Sequence, residues 1–130
     1  MLRVGFIGLG AISHENVLGY LDAPDAQIVA VSNLDKAVGL AWLEQYGFTA
    51  ARHYTDYREM IAKEKPDIVS VTTRAEERAE VVTGVAEAGV KAIYATKPIC
   101  RTLAEADAMI DTCRKNGVLL AIACHKNWSP

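Results

Sequence analysis

Cysteine is scarce in this chain. Cys100, Cys113 and Cys124 are the only three among 130 residues, and no pair has C-x-x-C spacing. An odd, sparse set of this kind excludes a disulfide framework and a thiolate zinc site. It reads as three small apolar side chains in a reducing compartment. Cys100, close behind a candidate site lysine, is the one to test for reactivity. Net charge is almost absent, at -2. That excludes a broad electrostatic footprint for nucleic acid or anionic lipid, while leaving room for a local basic pocket. No apolar run is long enough to span a bilayer. The single early charge, Arg3, precedes an apolar run that breaks at once into glycines. No small-residue cleavage site follows, so a secretory signal peptide is not expected and the cytoplasm is the expected compartment. Internal repeats at the scale of about 20–50 residues are lacking, as are linkers and low-complexity tracts.

What remains is an ordinary globular composition, 51% hydrophobic and 23% charged, at a length that fits one domain with a sizeable core. Leu2 to Ile7 is a short apolar run that stops at Gly8-Leu9-Gly10. Val17, Leu18 and Leu21 then recur at helical spacing, ended by Ala23-Pro24-Asp25. Gln27 to Val31 is a second strand. Asp35 is a cap for the next helix, with Val38, Trp42 and Gln45 on its inner side and Gly47 beyond its end. A weaker strand lies near Ala50 to His53, and Thr55 caps a helix that turns Met60 and Ile61 inward and closes at Lys65-Pro66. Asp67 to Thr72 is the fourth strand. Ala79, Val82, Val85 and Ala86 form the stripe of a helix with an acidic start (Glu76, Glu77, Glu80), ended by Gly89. Lys91 to Ala95 is the fifth strand. Thr102-x-x-Glu105 reads as a capping box, ahead of Leu103, Ala106, Ile110 and Cys113 at helical spacing. Asn116-Gly117 ends that helix, and Val118 to Ala123 is the last strand.

Strict alternation of continuous apolar strands with amphipathic helices marks an α/β domain: a doubly wound, mostly parallel sheet with helices on both faces. Right-handed crossovers and six strands in two halves predict the Rossmann order 3-2-1-4-5-6.

Gly8-Leu9-Gly10-Ala11-Ile12-Ser13 matches G-x-G-x-x-[G/A/S] directly between a predicted strand and a predicted helix. Gly8 permits the tight turn. Gly10 lets main chain approach a pyrophosphate, and the helix N-terminus at Ala11 and Ile12 supplies free N–H donors and partial positive charge. Ser13 stands where a small residue allows close helix–strand packing, and its hydroxyl could also reach phosphate. A second pattern agrees. Polar residues follow most strand ends: Ser32-Asn33, Thr72-Thr73-Arg74, Thr96-Lys97 and His125-Lys126-Asn127. In open α/β sheets ligands bind along that edge. The expected ligand is a nicotinamide dinucleotide, NAD or NADP. Near the end of strand two an acid would accept from the ribose 2′-OH and repel a 2′-phosphate. Asn33 is neutral there, and Lys36 could pair with a phosphate that Asp35 opposes, so NADP is slightly favoured over NAD.

Lys97 is the best candidate for chemistry. Pro98 biases it toward an extended backbone, which would aim its ammonium into the crevice to polarise a substrate oxygen or relay a proton. His14 sits just after the glycine turn, where solvation is the simplest expectation. His53 has no evident partner, His125 is not assigned to catalysis, and no pair has metal-ligand spacing.

Taken together, these segments resemble the N-terminal domain of the Gfo/Idh/MocA family of oxidoreductases. The carrying stretches are Val4 through Ile12, Tyr54-Thr55-Asp56-Tyr57, Pro66 through Thr73, Ala86-Glu87-Ala88-Gly89 and Thr96-Lys97-Pro98-Ile99. The resemblance implies an NAD(P)-dependent oxidoreductase acting on sugars, polyols or related small alcohols, with Lys97 in the place of the family lysine beside the nicotinamide. It implies cofactor contacts at Gly8, Gly10, Ala11, Ile12, Ser32, Asn33, Thr73, Arg74, Thr96 and Lys97, and a possible homo-oligomer. The chain departs from the family pattern at Asn33, at Arg74 (commonly proline), at Arg78 (commonly histidine), at Thr96 (commonly glutamate) and at Asn127 (commonly arginine). Family enzymes continue into a second α/β domain that supplies most substrate contacts, whereas this sequence stops at Trp128-Ser129-Pro130. Negligible turnover is therefore expected from these residues alone, because a pocket lacking one wall neither excludes water nor orients a substrate. A non-catalytic dinucleotide-binding or redox-sensing module is the alternative.

Overall fold

Aliphatic and β-branched runs bounded by glycine, proline or a capping side chain set the order of elements. A computed structural model describes residues 1–124. Strand β1 (Leu2–Ile7) leads into helix α1 (Ala11–Leu21). Then follow β2 (Ala26–Ser32), α2 (Lys36–Gln45), β3 (Arg52–Tyr54), α3 (Tyr57–Glu64), β4 (Ile68–Val71), α4 (Ala75–Glu87), β5 (Ala92–Thr96), α5 (Leu103–Lys115) and β6 (Leu119–Ala123). The strands form one parallel sheet in the order β3-β2-β1-β4-β5-β6, the doubly wound arrangement expected. The chain winds outward from β1 to β3, then returns to β4 on the other side of β1. The chain consequently leaves β1 and β4 toward opposite faces of the sheet, and a crevice opens at the carboxyl edge between the helices that follow. The predicted polar cluster His125-Lys126-Asn127 lies outside the described residues.

Two apolar layers cover the sheet. Val4 and Phe6 of β1 pack with Val17 of α1, Ile28 and Val31 of β2, and Trp42 and Leu43 of α2. On the opposite face Ile7, Val69, Val71 and Ile93 pack with Met60 of α3, Val82 and Val85 of α4 and Met109 of α5. Strict alternation along β2 is broken once. The register slips between Val4 and Gly5, which pair with Ile28 and Ala30. The extra residue, Val29, therefore joins Ala30 in the second layer instead of pointing away from it.

Helix boundaries follow the predicted signals more closely than helix faces do. Asp35 caps α2 by accepting from the amides of Ala37 and Val38. The α3 cap is Asp56, not Thr55: its carboxylate accepts from Arg58 N at 2.8 Å, and a carboxylate is the stronger acceptor. Thr102 accepts from Glu105 N, while the Glu105 carboxylate accepts from Arg101 N at 2.8 Å, so the box closes one residue further out. The predicted inner residues Leu18, Leu21, Val38, Gln45, Leu103 and Ile110 are exposed, Leu103 to 85%. The inner faces carry Ser13 and Val17, then Gly39, Trp42 and Leu43, then Met109 and Cys113. All three cysteines are free, and burial pushes the Cys113 thiol above its ordinary value. No described helix is long and apolar enough to cross a membrane.

Candidate functional site

The turn after β1 is built from its backbone outward. Gly8 has a φ of 83°, and a Cβ there would lie 3.0 Å from Thr73 N and 3.1 Å from Thr72 C. Only glycine fits both constraints. Its amide donates to Ser32 O at 2.9 Å, and the Thr72 hydroxyl donates to its carbonyl. Leu9 N donates to Asn33 Oδ1 at 3.1 Å, and Asn33 Nδ2 donates to Asp35 O at 3.1 Å. Asn33 thus braces the turn with the side chain assigned to the ribose.

Gly10 is the N-cap of α1, without a side-chain cap. The amides of Gly10, Ala11 and Ile12 have no protein partner among the described residues, and a Cβ on Gly10 would meet nothing within 4 Å. Three unengaged donors at a helix N-terminus, facing open space, fit a diphosphate. The Ser13 hydroxyl does not join them. It is fully buried, donates to Gly10 O at 2.6 Å and accepts from Trp42 Nε1 at 3.0 Å, so its suggested contact with phosphate is overturned by packing. His14 likewise turns from solvent to share a 2.7 Å hydrogen bond with the Tyr46 hydroxyl. His53 has the partner the sequence did not reveal, Asn33 O at 3.0 Å.

A cleft of about 540 Å³ opens beside the turn. Gly8, Gly10, Ser32, Asn33, Thr73 and Arg74 all line it. Leu34, Thr55, Tyr57, Glu77 and Glu80, which were not anticipated, share its wall with Ile7, Leu9, Thr72 and Val81. Glu77 and Glu80 face one cation, Arg74, so attraction for an anion rests on main-chain amides rather than net charge. Ala11, Ile12, Thr96 and Lys97 are not in that lining. Ala11 and Ile12 belong to the adjoining first turn of α1. Thr96 ends β5 with its hydroxyl buried and without a partner among the described residues, and Lys97 is exposed beyond it at a cis bond to Pro98. A separate cleft of about 520 Å³ near Lys65, Pro66 and Lys91 contains none of the predicted residues.

The family model described as "Oxidoreductase family, NAD-binding Rossmann fold" (GFO_IDH_MocA) matches residues 2–124. The chain belongs to this family. D-apiose dehydrogenase of Paraburkholderia graminis is 34% identical to the domain over 128 residues, covering 95% of this chain and 32% of the relative. Myo-inositol 2-dehydrogenase of Thermotoga maritima is 32% identical over 121 residues, covering 92% and 35%. The solved WlbA dehydrogenase of Chromobacterium violaceum, in complex with NADH and UDP-GlcNAcA, superposes with a TM-score of 0.84 at 26% identity, covering 94% and 34%. This NAD-binding domain therefore spans about a third of the length of the relatives it matches.

The sequence reading named Arg78 only as a departure from the family pattern and missed that this NAD-binding domain buries its charge. Arg78 of α4 is 3% exposed. Its Nη1 donates to Pro98 O and its Nη2 to Thr73 O. Burial pushes its guanidinium below the ordinary value, against smaller opposing effects of Cys100 and Glu76, yet an arginine stays charged. A signal was present. Arg78 stands at i, i+4 and i+7 with Val82 and Val85, on a stripe otherwise apolar.

Proposed function

We propose that the domain holds a nicotinamide dinucleotide along the carboxyl edge of the sheet, in the service of an enzyme that oxidises or reduces a sugar, polyol or related small alcohol. The observation that carries this reading is the row of amides at Gly10, Ala11 and Ile12 that, among the described residues, have no partner, with none of those residues' atoms within 4 Å of where a Cβ of residue 10 would stand. These amides would take the diphosphate, and Gly8 would hold the turn in register with Thr72 and Thr73. In this reading Ser32 and Asn33 would face the adenosine half, and Thr73, Arg74, Thr96 and Lys97 the nicotinamide half. The nicotinamide ring supplies or accepts a hydride when bound. Lys97, as an ammonium, would hydrogen-bond the substrate oxygen and stabilise or relay its proton as the C–H bond forms or breaks.

Asn33 is neutral, so the position itself holds no acid to repel a 2′-phosphate; the Asp35 carboxylate beside it accepts from the amides of α2 but keeps its charge. NADP is therefore favoured only slightly over NAD. Titrating the chain with NADH and with NADPH, following nicotinamide fluorescence, tests both claims. Saturable binding with NADPH equal or tighter is expected. A tenfold preference for NADH would remove the NADP assignment, and binding of neither would remove the function.

In the whole protein, Lys97→Met is expected to leave cofactor affinity within about threefold and to lower turnover of a sugar or polyol substrate by about 10²–10⁴. Unchanged turnover would remove Lys97 from the chemistry, whereas no turnover by the wild-type whole protein would point instead to a non-catalytic, dinucleotide-sensing module.

A further inference from the structure

Arg78 occupies a place where a charge is costly. It sits on the inner stripe of α4, almost wholly buried, and among the described residues no carboxylate lies within ion-pairing distance of it. Its partners are main-chain carbonyls on two different loops. Thr73 O follows β4 and Pro98 O follows β5. A planar fork with fixed donor directions holds two acceptors in one relative geometry, which an apolar side chain cannot do and a lysine does poorly.

Those two loops are the ones the proposed cofactor site requires. The Thr72–Thr73 segment touches the glycine turn directly: the Thr72 hydroxyl donates to Gly8 O, Thr72 N donates to Ile7 O at 2.9 Å, and a Cβ on Gly8 would press on the Thr73 backbone. Pro98 is bonded to Lys97. A continuous series of contacts thus runs from the glycine turn, through Thr72 and Thr73, across the guanidinium of Arg78, to Pro98 and Lys97. Among the described residues Arg78 Nε is buried without a partner, so the link rests on Nη1 and Nη2.

Resting on the dinucleotide reading above, we propose that Arg78 is a positioning residue. It clamps the loop after β5 to the loop after β4, and so sets Lys97 and the nicotinamide half of the crevice relative to the diphosphate turn. In a doubly wound sheet the adenosine half lies over β1, β2 and β3 and the other half over β4 and β5. Loss of the clamp should therefore be felt by ligands that occupy the nicotinamide half and not by those that stop short of it.

The test compares two ligands on three proteins. NADH (or NADPH, whichever the wild type binds tighter) fills both halves, and ADP-ribose lacks the nicotinamide. Arg78→Met keeps length and removes the fork; Arg78→Lys keeps charge and offers donors to one loop at a time. The expected result is about a tenfold loss of affinity for the reduced dinucleotide in Arg78→Met, with ADP-ribose within twofold of wild type, and a smaller loss in Arg78→Lys. Equal weakening of both ligands would show a general structural role and overturn the proposal, as would no change in either. If thermal melting shows Arg78→Met to be unfolded, the same comparison on Arg78→Lys decides: a selective loss for the dinucleotide supports the clamp and a parallel loss rejects it. Failure of the wild type to bind either ligand is a separate outcome, which removes the dinucleotide reading and the clamp together.

Discussion

Gly10→Ala is expected to weaken dinucleotide binding by about 100-fold, roughly 2.7 kcal/mol, while lowering folding stability by less than about 1 kcal/mol. The two effects separate because the added methyl meets no atom of the described residues within 4 Å but stands in the space the diphosphate would fill. Its only folding penalty is that alanine is a poorer N-cap than glycine. Gly8→Ala should do both kinds of damage. Residue 8 has a φ of 83°, which costs a residue with a Cβ about 1–3 kcal/mol. The Cβ would also press on Thr72 C and Thr73 N, main-chain atoms that can shift only by moving β4. Urea unfolding and fluorescence titration of the two variants side by side give the comparison. Wild-type affinity in Gly10→Ala would mean that no diphosphate lies over that amide row.

The contrast between these glycines shows what a sequence can and cannot express. The spacing of Gly8 and Gly10 between an apolar run and a helix was legible, because turn, approach and helix start are all local. Strand order was legible too, since unbroken apolar strands alternating with helices leave few parallel topologies. Helix faces were legible only in part: Met60, Ile61, Val82, Val85 and Ala86 turn inward on α3 and α4 as read, whereas the faces of α1, α2 and α5 were mixed. The residues turned to the sheet in α1 and α2 include Ser13 and Gly39, chosen for size rather than hydrophobicity, while Leu18, Leu21 and Val38 face outward. Close packing of helix on strand rewards small side chains that carry no apolar signal. The cleft was half legible for a related reason. Its loops could be named from strand ends, but the engagement of Asn33 with Leu9, and of Arg78 with Thr73 and Pro98, depends on which loops the topology brings together.

Trp42→Ala is expected to cost about 3–5 kcal/mol, the largest loss of stability from any single truncation proposed for this domain. Trp42 is 2% exposed, its ring lies 5.2 Å from that of Phe6 and 5.8 Å from that of Phe48, and it fills the layer between β1 and α2. The same side chain reaches the site. Its Nε1 donates to Ser13 Oγ, which in turn donates to Gly10 O, so the buried tryptophan fixes the hydroxyl that holds the carbonyl of the glycine turn. Trp42→Phe isolates this second role, because it keeps most of the ring and removes the donor. That change should cost about 0.5–1.5 kcal/mol beyond the altered packing, and Ser13→Ala about 1–3 kcal/mol, since it leaves the indole N–H buried without an acceptor. The double variant should lose less than the sum of the two, by at least about 0.5 kcal/mol, because the second change removes a group already without its partner. Denaturant unfolding of the four proteins measures the coupling, and dinucleotide titration of the same four asks whether it reaches the turn. Additive stabilities would show that the indole and the hydroxyl act independently. Coupled stabilities with affinity unchanged throughout would confine the pair to the core and leave the glycine turn held by Thr72, Ser32 and Asn33 alone.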